Sequence, residues 1–214
     1  MKAIEVLDRY QAKQRQLSRE IERQKDIFWN RFLCHRAVLE EYGYLKEDYP
    51  DEKGVIISQL RSENELFLAQ VIFSGELNSL TPAELASVVC AITTEDMRAD
   101  LYSQLPFSPN VRKKLNKIKD IRRVLDKKQK AHDVEDPMYI NGFYSPLIEM
   151  WVNGAEWDSI IDEVEMGEGD IVRTFKRVID VLRQFCTISG IPEELVFTAR
   201  EAIEQINRSP IDID

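Results

Sequence analysis

One stretch of the chain carries the clearest helical repeat in the sequence. Residues 167–185 read GEGDIVRTFKRVIDVLRQF. A period of 3.6 residues places one apolar set on a single side of a helix, namely Ile171, Phe175, Val178, Leu182 and Phe185. Because most of the stability of such a helix comes from covering its apolar side, the repeat predicts a fold in which helices pack on helices.

A polar stripe follows the same predicted helix on another side. Its members are Arg173, Arg177, Asp180 and Gln184, with Lys176 and Arg183 beside them. One interpretation is an ordinary solvated face, in which Arg177 and Asp180 form a pair worth roughly a few tenths of a kcal/mol. The other is a row of guanidinium groups that stack on bases and bind phosphates along a polynucleotide. The pattern alone leaves both interpretations open.

The rest of the chain also favours helices, so the predicted fold class is all-α, a helical bundle with a small β-hairpin near residues 44–58. Residues 2–30 predict a long polar helix, and residues 27–45 predict another that ends at Gly43 in a left-handed C-cap. The apolar residues of this second helix predict a core face made of Phe28, Trp29, Phe32, Leu33, Val38 and Leu39.

Local signals mark several element boundaries. Pro50 and Gly54 lie in a charged turn, and the β-branched run 55–57 that follows predicts one strand of the hairpin. Helix starts are predicted by two capping boxes, Ser62 with Glu65 and Thr81 with Glu84. Residues 93–110 hold two prolines and have weak periodicity, which is typical of a connection.

The charge of the chain is distributed unevenly. The net charge is −9, yet residues 111–130 contain ten Lys or Arg and two Asp. A long exposed helix needs a solvated face, and Leu115, Ile118 and Leu125 supply a matching apolar one. The same run is a candidate secondary basic surface, for which we select Lys113, Lys114, Lys117, Arg122 and Arg123.

Several classes of site lack their sequence signals. The two histidines, His35 and His132, are isolated, and no CxxC, HExxH or GxxxxGK[ST] motif is present, so we expect no metal site, no catalytic residue and no bound cofactor in this chain. The segment IIDEVE at residues 160–165 resembles a magnesium-binding helicase signature, but without a phosphate-binding loop it indicates a solvated helix end. The three cysteines favour buried reduced thiols, and the absence of an apolar leader or span predicts a cytoplasmic protein that does not contact membranes.

The order of several blocks resembles a known family. These blocks are NELFLAQVIFSGELNSLTPAELA at 64–86, WVNGA at 151–155 and EGDIVRTFKR at 168–177. Together they resemble the C-terminal helical region, called DSHCT, of superkiller-type DExH-box RNA helicases, over about residues 53–207. The resemblance implies that the chain has three parts. Residues 1–27 would form a polar, stalk-like helix, residues 28–60 the end of a winged-helix-like domain, and residues 61–214 the DSHCT bundle.

The resemblance also implies a function. In that family the helix matching residues 169–186 contacts successive nucleotides as a ratchet, which implies RNA-binding roles for Arg173, Lys176, Arg177, Asp180 and Gln184. The implied partners are single-stranded RNA, helicase motor domains in cis or in trans, and RNA-degrading or ribosomal assemblies. ATP and Mg²⁺ would belong to the motor domains, whose motifs are missing here, so the chain alone is not expected to hydrolyse ATP.

Two other classes of function remain open. Residues 156–185 could supply the two helices of a helix-turn-helix DNA-binding protein. Alternatively, an aromatic segment with Phe143, Tyr144 and Trp151, or the N-terminal helix, could serve as a protein-interaction scaffold without nucleic acid.

Overall fold

The computed structural model describes residues 2–94, 105–163 and 167–212. Its elements in chain order are α1 (Lys2–Glu41), β1 (Leu45–Lys46), β2 (Tyr49–Pro50), α2 (Glu52–Ile57), α3 (Glu65–Phe73), α4 (Pro82–Thr93), α5 (Pro109–Ala131), α6 (Ser145–Val152), α7 (Trp157–Asp162), α8 (Glu168–Thr187) and α9 (Glu193–Ile206). The predicted all-α class with a small hairpin is confirmed. Residues 95–104, most of the predicted connection, lie outside the described part of the chain.

Helix α4 is the centre of the bundle. It packs against α5, α6, α8 and α9, and its residues 85–93 are all buried. The predicted capping box starts this helix, since the Glu84 N–H donates to Thr81 Oγ1 at 3.3 Å and the Thr81 N–H donates to Glu84 Oε2 at 2.9 Å. The helices that carry the two basic faces, α5 and α8, are therefore both anchored on α4.

Helix α1 is continuous where two helices were predicted. No Gly or Pro occurs between residues 2 and 41, so nothing interrupts the hydrogen bonding before Gly43, whose φ of 70° ends the helix as predicted. The predicted core face is wrong for its first part. Phe28, Trp29 and Phe32 are 68%, 60% and 54% exposed, and Leu33 is 38% exposed. Only the last turns of α1 reach the bundle, so Val38 is buried and the earlier apolar residues are not.

The hairpin lies earlier than the β-branched run indicated. Leu45 pairs with Pro50 and Lys46 with Tyr49, whereas residues 55–57 belong to α2. The Asp51 carboxylate caps α2 by accepting from the Gly54 N–H at 2.8 Å. A side chain at Gly54 would overlap the carbonyl oxygen of Tyr44, so this close approach requires glycine.

The capping box predicted at Ser62 and Glu65 is wrong. Asn64 caps α3 in place of Ser62, because its Oδ1 accepts from the Phe67 N–H at 2.8 Å. The Asn64 side chain also donates to the carbonyl oxygen of Pro137 at 3.1 Å, which ties α3 to the segment after α5. Asparagine makes both bonds at once because its amide has a donor and an acceptor, whereas the capping-box rule considers only the local acceptor.

The described residues also bear on the predictions about cysteines and membranes. Cys34, Cys90 and Cys186 are free thiols, but only Cys90 is buried and the other two are half-buried. No helix in the described ranges is long and apolar enough to cross a bilayer. The cytoplasmic location stays a prediction.

Candidate nucleic-acid interface

Helix α8 is held on the bundle by the apolar face that its sequence predicts. Ile171, Phe175, Val178, Leu182 and Phe185 are each 0% exposed, and they pack towards α4 and α9. Acidic residues in its first turn stabilise the helix by interacting with the positive end of the helix dipole. The start of the helix is fastened by Trp157, whose Nε1 donates to Glu168 Oε1 at 2.8 Å.

The polar stripe lies on the side of α8 that faces away from the core. Arg173 is 78% exposed at its side chain and contacts Asp170 at 3.5 Å, an exposed pair that is worth little. Arg177 and Asp180 are exposed as well, whereas Lys176 is half-buried on the flank. The structure thus presents two guanidinium groups and a carboxylate along one rigid helix.

Gln184 differs from the other stripe residues. Its Oε1 accepts from the backbone N–H of Arg61 at 2.7 Å, and its Nε2 donates to the backbone carbonyl of Arg61 at 3.1 Å. Both ends of this amide therefore hold the segment between α2 and α3 against α8. The sequence contains no signal for this contact, because it joins residues 123 positions apart.

The predicted secondary basic surface is divided by the structure. Lys113, Lys117 and Arg123 are exposed on α5. Lys114 turns towards the bundle, where its ammonium lies 3.4 Å from the Glu76 carboxylate. Arg122 is half-buried, and its Nη1 donates to the carbonyl of Met138 at 3.5 Å. Arg123 Nη2 donates to Asp120 Oδ1 at 3.1 Å, an exposed pair within α5 that is worth little, so Lys113, Lys117 and Arg123 remain accessible to an external partner.

The two basic faces occupy different helices of the bundle. Helix α5 packs mainly on α3 and α4, and α8 packs mainly on α4 and α9. Asp162 and Glu163 are exposed at the end of α7, as expected for a solvated helix end, and Glu165 lies outside the described residues. Within the described ranges, no cluster of three or more His, Cys, Asp or Glu could hold a metal ion.

The aromatic segment does not form an external surface. Phe143, Tyr144 and Trp151 are 7%, 2% and 1% exposed, so they belong to the core. Burial raises the pKa of Tyr144 to about 12, and the negative charge of Asp170 acts in the same direction. A scaffold that uses these three side chains is excluded unless the bundle opens. The N-terminal helix, which is the other candidate for a scaffold, presents a separate exposed surface on α1.

Comparisons with known proteins place the chain in a family. The family model of the DSHCT (NUC185) domain matches residues 47–214. The chloroplastic DExH-box ATP-dependent RNA helicase DExH15 of Arabidopsis thaliana is 30% identical over 216 residues, which cover 97% of this chain and 18% of that protein. The ATP-dependent RNA helicase mtr4 of Schizosaccharomyces pombe is 24% identical, over 70% of this chain and 14% of its own length.

A bacterial relative shows the same partial coverage. The probable helicase HelY of Mycobacterium tuberculosis is 26% identical over 76% of this chain and 19% of its own length. The chain thus spans less than a fifth of each of these curated relatives. Since the family model covers most of the chain, and the resemblance seen in the sequence points to the same family, the chain belongs to the DSHCT domain family.

Proposed function

We propose that this chain serves as the non-catalytic C-terminal region of a DExH-box ATP-dependent RNA helicase and contacts single-stranded RNA through the outward face of α8. The observation that carries the proposal is the placement of Arg173 and Arg177 on the face opposite a wholly buried one, in a chain whose relatives are named as RNA helicases. Because the opposite face is buried, the helix is held in one orientation, so the two arginines start from backbone positions with a fixed spacing.

The side chains of this face suit a grip that does not read sequence. Guanidinium groups bind phosphate oxygens in a bidentate manner and stack on bases of any type. A helical rise of 1.5 Å per residue sets Arg173 and Arg177 about 6 Å apart along the axis. Asp180 repels phosphate, but its carboxylate can accept from a ribose 2′-hydroxyl, which DNA lacks. Lys113, Lys117 and Arg123 on α5 would add a weaker, second basic surface.

Motor domains complete the proposed activity, in cis or in trans. They would bind ATP and Mg²⁺, while this chain supplies a wall of the RNA path and supports translocation during RNA processing or decay. RNA-degrading or ribosomal assemblies are the proposed wider partners. Because an isolated bundle lacks the opposite wall, we expect a Kd of about 10 μM or weaker for single-stranded RNA at physiological salt.

The variant Arg173→Glu, Arg177→Glu tests the proposal. We expect it to bind a labelled single-stranded RNA about thirtyfold more weakly than the unmodified chain at low salt, since two charge-assisted contacts are replaced by repulsion. Fluorescence anisotropy measures the affinity, and circular dichroism checks that the variant is folded.

Helix α1 offers a matched control. Arg15 and Arg19 are exposed, have the same spacing of four residues, and give the same change in net charge when both are replaced by Glu. If this control loses as much affinity as the α8 variant, attraction to the whole chain explains binding and the α8 interface is wrong. No binding of RNA by the unmodified chain at low salt would also reject the proposal.

A duplex DNA probe distinguishes the helix-turn-helix alternative. In that motif a positioning helix packs on the recognition helix, whereas α7 here packs mainly on α6 and reaches α8 through Trp157. We therefore expect single-stranded RNA to be preferred over duplex DNA. A reversed preference would favour the helix-turn-helix function.

A further inference from the structure

The segment between α2 and α3 reaches the polar stripe of α8 through Arg61. The backbone N–H and carbonyl of Arg61 are both bonded to the Gln184 side chain, at 2.7 and 3.1 Å. The Gln184 Nε2 also donates to the carbonyl of Asp180 at 3.3 Å, within its own helix. The amide is thus fixed on α8 and fixes Arg61 in turn.

The Arg61 guanidinium is exposed and already oriented. Its Nη1 donates to the carbonyl oxygens of Ser58 and Leu60, at 3.0 and 2.8 Å. These bonds use Nη1, and a guanidinium has five N–H groups in all, so donors at Nη2 and Nε can still meet a phosphate. A side chain held in this way loses less rotamer entropy on binding than a free arginine does.

The charges along α8 show why a cation at this position matters. The stripe has guanidinium groups at Arg173 and Arg177, but a carboxylate at Asp180 and a neutral amide at Gln184. From Arg177 to Gln184 the helix rises about 10 Å. Beyond Arg177 the stripe itself has no cation, and the exposed Arg183 lies to one side of it, on the same flank as Lys176. The Arg61 backbone is bonded to Gln184, so Arg61 can bring a positive charge to that end of the stripe from a different element.

We propose that Arg61 is a further RNA contact and that Gln184 is a positioning residue that docks it beside α8. This inference rests on the proposed function of the α8 face. It assigns a structural role to a glutamine that the stripe pattern alone presents as a direct RNA contact.

Salt-dependent binding of a labelled single-stranded RNA tests both roles. We expect Arg61→Ala to weaken binding about fivefold at low salt and to make the slope of log K against log salt shallower by about 0.7, the value for one phosphate contact on a single strand. Gln184→Leu removes no charge, yet we expect it to lower both the affinity and the slope, because Arg61 is released. The double variant should match Arg61→Ala alone.

The possible outcomes separate the inference from the proposed function. If the unmodified chain binds RNA and loses affinity in Arg173→Glu, Arg177→Glu, but not in Arg61→Ala, only the present inference fails. If Gln184→Leu weakens binding further in the Arg61→Ala background, Gln184 contacts RNA directly and its positioning role is wrong.

Two controls keep the test independent of folding and of general charge. Arg19→Ala removes an exposed arginine of α1 and should leave both affinity and slope unchanged if the contact is local. Arg61→Ala keeps both backbone bonds to Gln184, so the role of Arg61 remains testable if Gln184→Leu is unfolded by circular dichroism. In that case Gln184→Glu replaces Gln184→Leu, because its carboxylate keeps an acceptor for the Arg61 N–H. We expect Gln184→Glu to weaken RNA binding less in the Arg61→Ala background than in the unmodified chain.

Discussion

Replacement of Trp151 by alanine is expected to lower the free energy of unfolding by about 3–5 kcal/mol. Trp151 is 1% exposed, and its ring lies 5.3 Å from that of Trp157 in an edge-on contact. Its Nε1 donates to the carbonyl of Ile206 at 2.9 Å, so the substitution also leaves a buried acceptor without its donor. The Arg208 guanidinium stacks on the ring at 3.3 Å and donates to the carbonyls of Trp151 and Ala155.

Urea denaturation followed by circular dichroism measures this loss. Trp29→Ala is the matched control, because Trp29 is 60% exposed on α1 and we expect its replacement to change stability by about 0.5 kcal/mol or less. Trp151→Phe should fall between the two, since it keeps much of the apolar volume and loses the hydrogen bond. Equal losses for Trp151→Ala and Trp29→Ala would mean that the two tryptophans are buried alike in solution, which contradicts the described packing.

The apolar faces of α8 and α1 show how far the sequence determines the fold. The apolar face of α8 was predictable residue by residue, because a 3.6-residue period and a covering helix agree there. The same reasoning failed for Phe28 and Phe32, which have a helical spacing but no covering element in the described chain. Periodicity states which residues share a face, and it does not state whether that face has a partner.

Local propensity failed where a specific contact competed with it. Residues 55–57 are β-branched and favour a strand, yet the Asp51 cap and the close approach of Gly54 to Tyr44 place them in α2. A β-branched residue costs a helix only a fraction of a kcal/mol, about as much as one capping bond contributes. The sequence contains both signals, and only the tertiary contact decides between them.

Only part of the candidate site was predictable, because helix periodicity determines exposure but not contacts between distant residues. Exposure of Arg173, Arg177 and Asp180 follows from their position opposite the core face. The inward turn of Lys114 depends on Glu76, and the docking of Arg61 depends on Gln184, both of them contacts between distant parts of the chain. Composition identified α5 as basic, but it could not show which of its cations are engaged internally.

Cys90 is expected to resist alkylation by iodoacetamide about a thousandfold or more, relative to an unperturbed thiol, at about pH 8 in the native protein. It lies on α4 and is 0% exposed, and burial raises the pKa of its thiol from 9.0 to about 12. The contact between its Sγ and Thr94 Oγ1, at 3.8 Å, acts in the opposite direction but does not cancel the effect of burial. At pH 8 this pKa alone leaves about a thousandfold less thiolate, and the surrounding helices exclude the reagent as well.

Mass spectrometry of single-cysteine variants measures the protection. Cys34 and Cys186 are half-buried, and a variant that keeps only Cys34 is the reference for a thiol in contact with solvent. In urea the Cys34-only and Cys90-only variants should react at similar rates. Native rates within about tenfold of each other would show that α4 is accessible and would contradict its central position.

Protection of Cys90 also connects stability with the RNA experiments. If the thiol reacts only after the bundle opens, its rate reports the population of the open form, so Trp151→Ala should accelerate it about a hundredfold or more for a loss of 3 kcal/mol. Arg173→Glu, Arg177→Glu changes only the exposed side of α8 and should leave the rate nearly unchanged. A loss of RNA binding without a faster Cys90 reaction would therefore assign that loss to the α8 surface, whereas a faster reaction would assign it to the core.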